Sequence, residues 1–203
     1  MSPATGARSR TRDAILERAV DLASLEGLEG LTIGRLATEL GMSKSGLFGH
    51  FGSKEELQLA TLVAANGVLW REVIEPAAAI DSGLKRLRVL IEGYIRYLER
   101  EVFPGGCFLA AAAAEFDGRP GPVRDAIALA SRAWANELEG QVGVAVAKGE
   151  LPEGTDPTQL AFELNALADG ANATYQLHGD RRAFVRARTA IARLLGGAGN
   201  QPL

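Results

Sequence analysis

Cysteine is almost absent: Cys107 is the only one in 203 residues. That excludes an internal disulfide framework and any zinc or iron–sulfur site built from several cysteines. Histidine is nearly as scarce, with only His50 and His178. No H-E-x-x-H, G-x-S-x-G or Gly-rich phosphate loop occurs, and no E-x-x-H pair is available to seat a metal among carboxylates. The chain therefore lacks the residue constellations of an enzyme, and no cofactor is expected. No uncharged apolar run reaches the roughly 18 residues of a membrane span. Arg8, Arg10 and Arg12 are not followed by the apolar core of a secretion signal, so the expected compartment is the cytoplasm, without a membrane partner.

What is present is ordinary globular material, 47% hydrophobic and 23% charged, which excludes wholesale disorder. Net charge is −3, but the deficit is local. Residues 1–55 hold seven basic and seven acidic groups, leaving 15 basic and 18 acidic downstream. A small end domain with concentrated cations is compatible with that distribution.

Every long segment has helical period and none has a sustained strand pattern. The spacing predicts an all-α chain of nine helices. The first runs from about Arg10 to Glu26, with Ile15, Ala19, Leu22 and Ala23 inward, and stops at Gly27 and Gly30. Thr32 caps a two-turn helix carrying Ile33, Leu36, Ala37 and Leu40, ended by Gly41. Ser43 caps a third, Lys44 to about His50, with Leu47 and Phe51 inward. Ser53-Lys54-Glu55-Glu56 reads as a capping box opening a long helix that stops near Ile74, before Pro76. Five more follow, roughly 82–101, 107–116, 122–148, 157–177 and 181–195, separated by Gly- and Pro-rich turns. A Gly-rich tail begins at Gly196.

The informative stretch is Ile33 to Lys54. Ala37 lets a second helix cross closely, and Gly41 takes the left-handed conformation of a sharp turn. This is the spacing of a helix-turn-helix, whose second helix enters the DNA major groove. An ordinary helical hairpin is the alternative, but the second helix is too short to stabilise a bundle. Its outward residues Lys44, Ser45, Gly46, Gly49 and His50 are small or polar, which lets a helix sit deep in a groove.

Leu31-Thr32-Ile33, Leu36-Ala37, Leu40-Gly41, Ser43-Lys44, Leu47-Phe48, His50-Phe51 and Ser53-Lys54-Glu55-Glu56-Leu57 resemble the DNA-binding domain of TetR-family transcriptional regulators. The resemblance covers residues 10–57 closely and the remainder in architecture. It implies an N-terminal arm and DNA-binding domain over 1–53, and a ligand-binding and dimerisation domain over 54–203. It implies a homodimer that represses by binding a near-palindromic double-stranded operator and is released by a small-molecule inducer. It assigns base-edge or nearby contacts to Lys44, Ser45 and Gly46, and backbone contacts to Phe48, His50 and Lys54. Physically, Lys44 can reach a guanine edge or a phosphate. Thr32 and Lys54 each start a helix, where backbone N–H groups can share a phosphate. His50 is either a phosphate donor or a plain surface histidine. Many relatives carry tyrosine in place of Phe48 and threonine in place of Gly46, which changes the operator read and not the fold. The three early arginines either reach the minor groove and phosphates or form a solvated arm.

Downstream, Trp70, Tyr94, Phe103, Cys107, Phe108, Phe116 and Trp134 either line an apolar ligand pocket or fill plain core. Cys107 reads as a small buried hydrophobe. Asn165, Asp169, Asn172 and Gln176 share one helix face, which orients a ligand, lies in a dimer seam or faces water. Leu160, Leu164, Leu167, Ala168, Ala171 and Tyr175, with Phe184, Ala187, Ile191, Leu194 and Leu195, form stripes on the last two helices. Those stripes are expected to make a four-helix dimer interface, with Ala166, Gly170 and Ala173 allowing close approach.

Overall fold

The computed structural model describes the backbone of residues 3–196 and the side chains of residues 11–196. Among these, all regular structure is helical, in nine successive rods. They are α1 (Pro3–Glu26), α2 (Ile33–Leu40), α3 (Lys44–Phe51) and α4 (Lys54–Leu69), the last prolonged by a π turn (Trp70–Ile74) and an α turn (Glu75–Ala78). Then come α5 (Leu84–Glu99), α6 (Phe108–Phe116), α7 (Pro122–Ala147), α8 (Pro157–His178) and α9 (Arg182–Leu194).

Two boundaries differ from the sequence expectation. α1 begins at Pro3 and not at Arg10. Residues 3–11 have no apolar face, so periodicity cannot see them, yet proline suits a first helical turn and alanine and arginine propagate one. Arg12 therefore lies inside α1, its guanidinium 5.0 Å from the centre of the Phe51 ring. The side chains of Arg8 and Arg10, and the tail beyond Gly196, lie outside the described residues. The fourth rod also passes through Pro76 where a stop was expected. The Glu75 N–H bonds the Trp70 carbonyl, five residues back. This wider turn resets the hydrogen-bond register just where proline has no N–H to give.

The chain divides into two compact units. Unit one holds the chain up to Gly67 together with Phe103–Leu129; unit two holds Val68–Val102 and Ala130 onward. In unit one, Leu28, Leu31, Leu36, Leu47 and Leu57 are all 1% exposed or less. The α1–α2 loop is pinned from two sides. Glu115 of α6 accepts the backbone N–H groups of Leu28 (3.1 Å) and Glu29 (2.9 Å). The buried Gln58 amide donates to the Leu28 carbonyl at 2.8 Å. Gly105 lies so close to the end of α1 that a Cβ there would sit 1.6 Å from the Ser24 carbonyl oxygen. Cys107, buried as expected, also caps α6: its sulfur accepts the Ala110 N–H at 3.4 Å.

In unit two, α5, α8 and α9 enclose Leu87, Leu90, Ile91, Ile95, Leu164 and Phe184, all fully buried. Arg188 of α9 ties Glu92 and Glu99 of α5 at 2.9 Å each. Here the expected dimer stripes need correction. Leu160, Leu164, Ala168, Ala171, Phe184, Ala187, Ile191 and Leu195 are buried inside the chain's own unit. Helical period identifies an apolar face but not which neighbour covers it. The apolar residues left outside are Phe162 (67% exposed), Leu177 (77%) and Val185 (59%), with Leu194 partly covered. Ala166, Gly170 and Ala173 remain exposed. Beside them lies a shallow groove of about 360 Å³ between α8 and α9, floored by Ala171, Ala183 and Ala187.

Candidate functional site

The wedge is built from caps and one turn. The Thr32 hydroxyl accepts the Arg35 N–H at 3.0 Å and starts α2. Gly41 ends it in the left-handed region (φ 63°), with the Met42 N–H closing onto the Ala37 carbonyl at 2.9 Å. The Ser43 hydroxyl accepts the Gly46 N–H at 3.1 Å and starts α3. Leu36, Ala37, Leu47 and Phe51 are buried between α2, α3 and their neighbours. The Ser53 hydroxyl caps Glu56 N–H at 3.0 Å. The reciprocal half of the expected capping box is replaced: the Ser53 N–H donates to the Phe51 carbonyl at 2.8 Å.

The outer face of α3 carries Lys44, Ser45, Gly46, Phe48 and Gly49, all exposed. Phe48 is 56% exposed, a phenyl ring held in water on a short helix. A Cβ on Gly49 would meet nothing within 4 Å, and one on Gly46 only the Ser43 hydroxyl at 3.1 Å. Each helical glycine costs about 1 kcal/mol relative to alanine, and at Gly49 no neighbour within 4 Å of a Cβ requires it.

Gly34 is a residue that sequence reasoning missed. A Cβ there would lie 2.9 Å from the Lys44 side chain. Its absence lets the lysine stem cross the first turn of α2, so that the Lys44 ammonium and the start of α2 face one region. Lys54 is placed differently from a free phosphate donor. Its ammonium pairs with Glu29 at 2.9 Å, and Glu29 also meets Arg119 at 3.4 Å. These cations hold the Glu29 carboxyl below its ordinary pKa, Lys54 contributing most. His50 is half-buried, with its Nδ1 lacking a hydrogen-bond partner among the described residues. Glu39 of α2 pairs with Arg18 of α1 and with Arg35 of its own helix.

The expected ligand residues fall into both units. Phe103, Cys107, Phe108 and Phe116 belong to unit one, where Phe103 and Phe108 meet edge to face at 6.0 Å. Trp70, Tyr94, Trp134, Asn165 and Asn172 belong to unit two. Trp70 is 56% exposed and joins no described ring pair. Tyr94 and Trp134 do meet, at 5.3 Å. The Trp134 indole N–H donates to Asn165 Oδ1 at 2.7 Å, and the Asn165 amide donates to Asp169 Oδ2 at 2.8 Å. The Tyr94 hydroxyl donates to Asp169 Oδ1 at 2.7 Å. Burial pushes the Asp169 carboxyl above its ordinary pKa, against the pull of those two donors. An open groove of about 580 Å³ lies elsewhere on unit two, but its arginines are committed: Arg96 to Glu92, Arg100 to Glu72, and Arg88 to the Leu195 carbonyl. Among the described residues no cluster of His, Cys, Asp and Glu could hold a metal, and no helix is long and apolar enough to cross a membrane.

Two family models match the chain: the TetR family of bacterial regulatory proteins over residues 15–61, and the C-terminal domain of tetracyclin-repressor-like proteins over residues 83–191. No curated protein matches it in sequence. A TetR transcriptional regulator from Chloroflexus aurantiacus superposes with a TM-score of 0.84 at 22% identity, covering 97% of this chain and 98% of that one. AibR, solved in complex with isovaleryl coenzyme A and operator DNA, has a TM-score of 0.75 at 22% identity over 92% of this chain and 98% of that one. A putative transcriptional regulator from Saccharomonospora viridis, solved with choline, has 0.79 at 21% identity over 92% and 96%. At these identities the likeness to the solved structures is one of fold.

Proposed function

The chain belongs to the TetR family of transcriptional regulators, and from that premise we propose that it is a cytoplasmic repressor. In this reading a homodimer binds a near-palindromic duplex operator and is released by a small-molecule inducer. The observation that carries the reading is the outer face of α3: exposed Lys44, Ser45 and Phe48 beside Gly46 and Gly49, the latter with open space where a side chain would stand. Lys44, with the start of α2 at Thr32, serves base edges and a phosphate; Phe48 packs on sugar; His50 meets the backbone at the rim, as does Lys54 when a phosphate takes the place of Glu29.

Pairing of two chains through α8 and α9 covers Phe162, Leu177 and Val185 and fills the groove floored by Ala171, Ala183 and Ala187. A two-fold pair places its recognition helices one DNA turn apart, about 34 Å. The small molecule acts through unit two. AibR in complex with both isovaleryl coenzyme A and operator DNA, and the Saccharomonospora regulator in complex with choline, support a ligand of this general kind. To empty an operator that is otherwise almost fully occupied, the ligand must favour the released form by about 5 kcal/mol.

The test replaces Lys44 and Lys54 by alanine together. Operator affinity, read by fluorescence anisotropy across a salt series, is expected to fall at least about tenfold, and the slope of log K against log salt to flatten by about 2. Sedimentation should still show a dimer. Unchanged affinity and slope would remove the DNA-binding face from α3.

A further inference from the structure

In unit two, a part-buried carboxylate meets no positive charge among the described residues. The indole nitrogen of Trp134 can only donate, so its bond to Asn165 Oδ1 (2.7 Å) fixes which way that amide points. The Asn165 NH₂ then donates to Asp169 Oδ2 (2.8 Å), while Tyr94 donates to Oδ1 (2.7 Å). Both donors are neutral. No described residue forms an ion pair with Asp169, and Arg88, Arg96, Arg100 and Arg188 of unit two are engaged by Glu72, Glu92 and Glu99 or by the Leu195 carbonyl. A partly desolvated carboxylate held by neutral donors alone is stabilised in its charged form when a cation arrives.

Three residues further along the same face of α8 stands Asn172. It is 8% exposed, and its Oδ1 has no hydrogen-bond partner among the described residues. A buried acceptor left open costs stability, and Asn172 repeats the sign of Asp169: it too calls for a donor. Aromatic rings lie beside Asp169. Tyr94 packs on Trp134 at 5.3 Å and on Tyr97 at 6.1 Å, and ring faces attract cations. A neutral donor would answer Asn172 alone; an anion would be repelled by Asp169; an organic cation answers Asp169 and the rings by its charge, and the Asn172 oxygen by that charge or by an N–H or O–H it carries.

Resting on the reading of this protein as a ligand-responsive regulator, we propose that unit two recognises a small organic cation. Its charged head sits at Asp169 and Asn172, against the rings of Tyr94 and Trp134. The Trp134–Asn165 pair is the positioning device that holds the carboxylate in its accepting orientation.

Calorimetric titration of the full-length protein tests this with choline, tetraethylammonium and ethidium as cations and 3,3-dimethylbutan-1-ol as the neutral isostere of choline. At least one cation is expected to bind below about 1 mM, with the neutral alcohol at least about tenfold weaker than choline where choline binds. Asp169→Asn should weaken the bound cation about tenfold or more. Asn172→Leu should weaken it too while the melting temperature holds or rises, because it removes an open buried acceptor; this variant decides the matter if Asp169→Asn does not fold. Failure of all three cations to bind, equal binding of the neutral isostere, or a cation affinity indifferent to the decisive substitution would overturn the proposal. Duplex binding by the unsubstituted protein without ligand is measured separately. Its loss would count against the regulator reading, whereas intact duplex binding without cation selectivity would count against this inference alone.

Discussion

Gly49→Glu is expected to leave the fold at least as stable as before and to lower operator affinity by a factor of about a hundred or more. The stability half follows from the space around the residue. A Cβ on Gly49 meets nothing within 4 Å, and glycine to glutamate inside a helix gains about half a kcal/mol or more in propensity. The binding half follows from the same bareness seen from outside. A glutamate on the outer face of α3 puts bulk and a negative charge where the proposed reading sets a phosphate-lined groove. Thermal melting and anisotropy on the same preparation give both numbers. A melting temperature that falls together with affinity would make Gly49 a folding residue; an unchanged affinity would mean that α3 faces no duplex.

Gly105→Ala is expected to destabilise the protein by about 3 kcal/mol or more. Its added Cβ would lie 1.6 Å from the Ser24 carbonyl oxygen and 2.4 Å from the carbonyl carbon, and both are backbone atoms at the end of α1. Backbone cannot rotate away as a side chain can, so the loop carrying Pro104 and Gly105 must lift off α1. Gly118→Ala, in the next turn, meets nothing within 4 Å and should be neutral within about half a kcal/mol. Urea unfolding of the two variants separates close packing from a general intolerance of alanine in turns. The ordering of the two matters more than the absolute value: Gly105→Ala as stable as Gly118→Ala would contradict the seating of that loop on α1.

Most of the fold could be read along the chain because its signals are local. Thr32, Ser43 and Ser53 cap helices whose apolar positions repeat at three and four residues. Gly41 marks the turn, and the three capping hydroxyls accept the N–H groups that their spacing predicts. What could not be read depends on distant partners. Glu115 holds the α1–α2 loop from 87 residues away, and nothing around either residue announces the other. Lys54 looked like a free cation because Glu29 lies 25 positions earlier on a loop. The stripes on α8 and α9 were apolar as expected, but amphipathic period is blind to whether a face turns to its own chain or to another. Leu164 and Phe184 are fully buried in the single chain, and Phe162 and Leu177 are the ones left outside. The run through Pro76 escaped notice because a π turn has no composition of its own. In the ligand-binding half, the spacing of Asn165, Asp169 and Asn172 placed them on one face, yet only the tertiary bonds from Trp134 and Tyr94 reveal which of them is an oriented acceptor.

The central claim is that α2 and α3 form a wedge presented twice to a DNA duplex by a symmetric pair of chains. Hydroxyl-radical footprinting on duplexes selected by the protein from a random pool tests it most directly. The account predicts an enriched inverted repeat, with two protected patches on one side of the duplex whose centres lie about one helical turn, or a whole multiple of it, apart, both lost with Gly49→Glu. A pool that yields no enriched sequence, or a single patch without a symmetry mate, would contradict it.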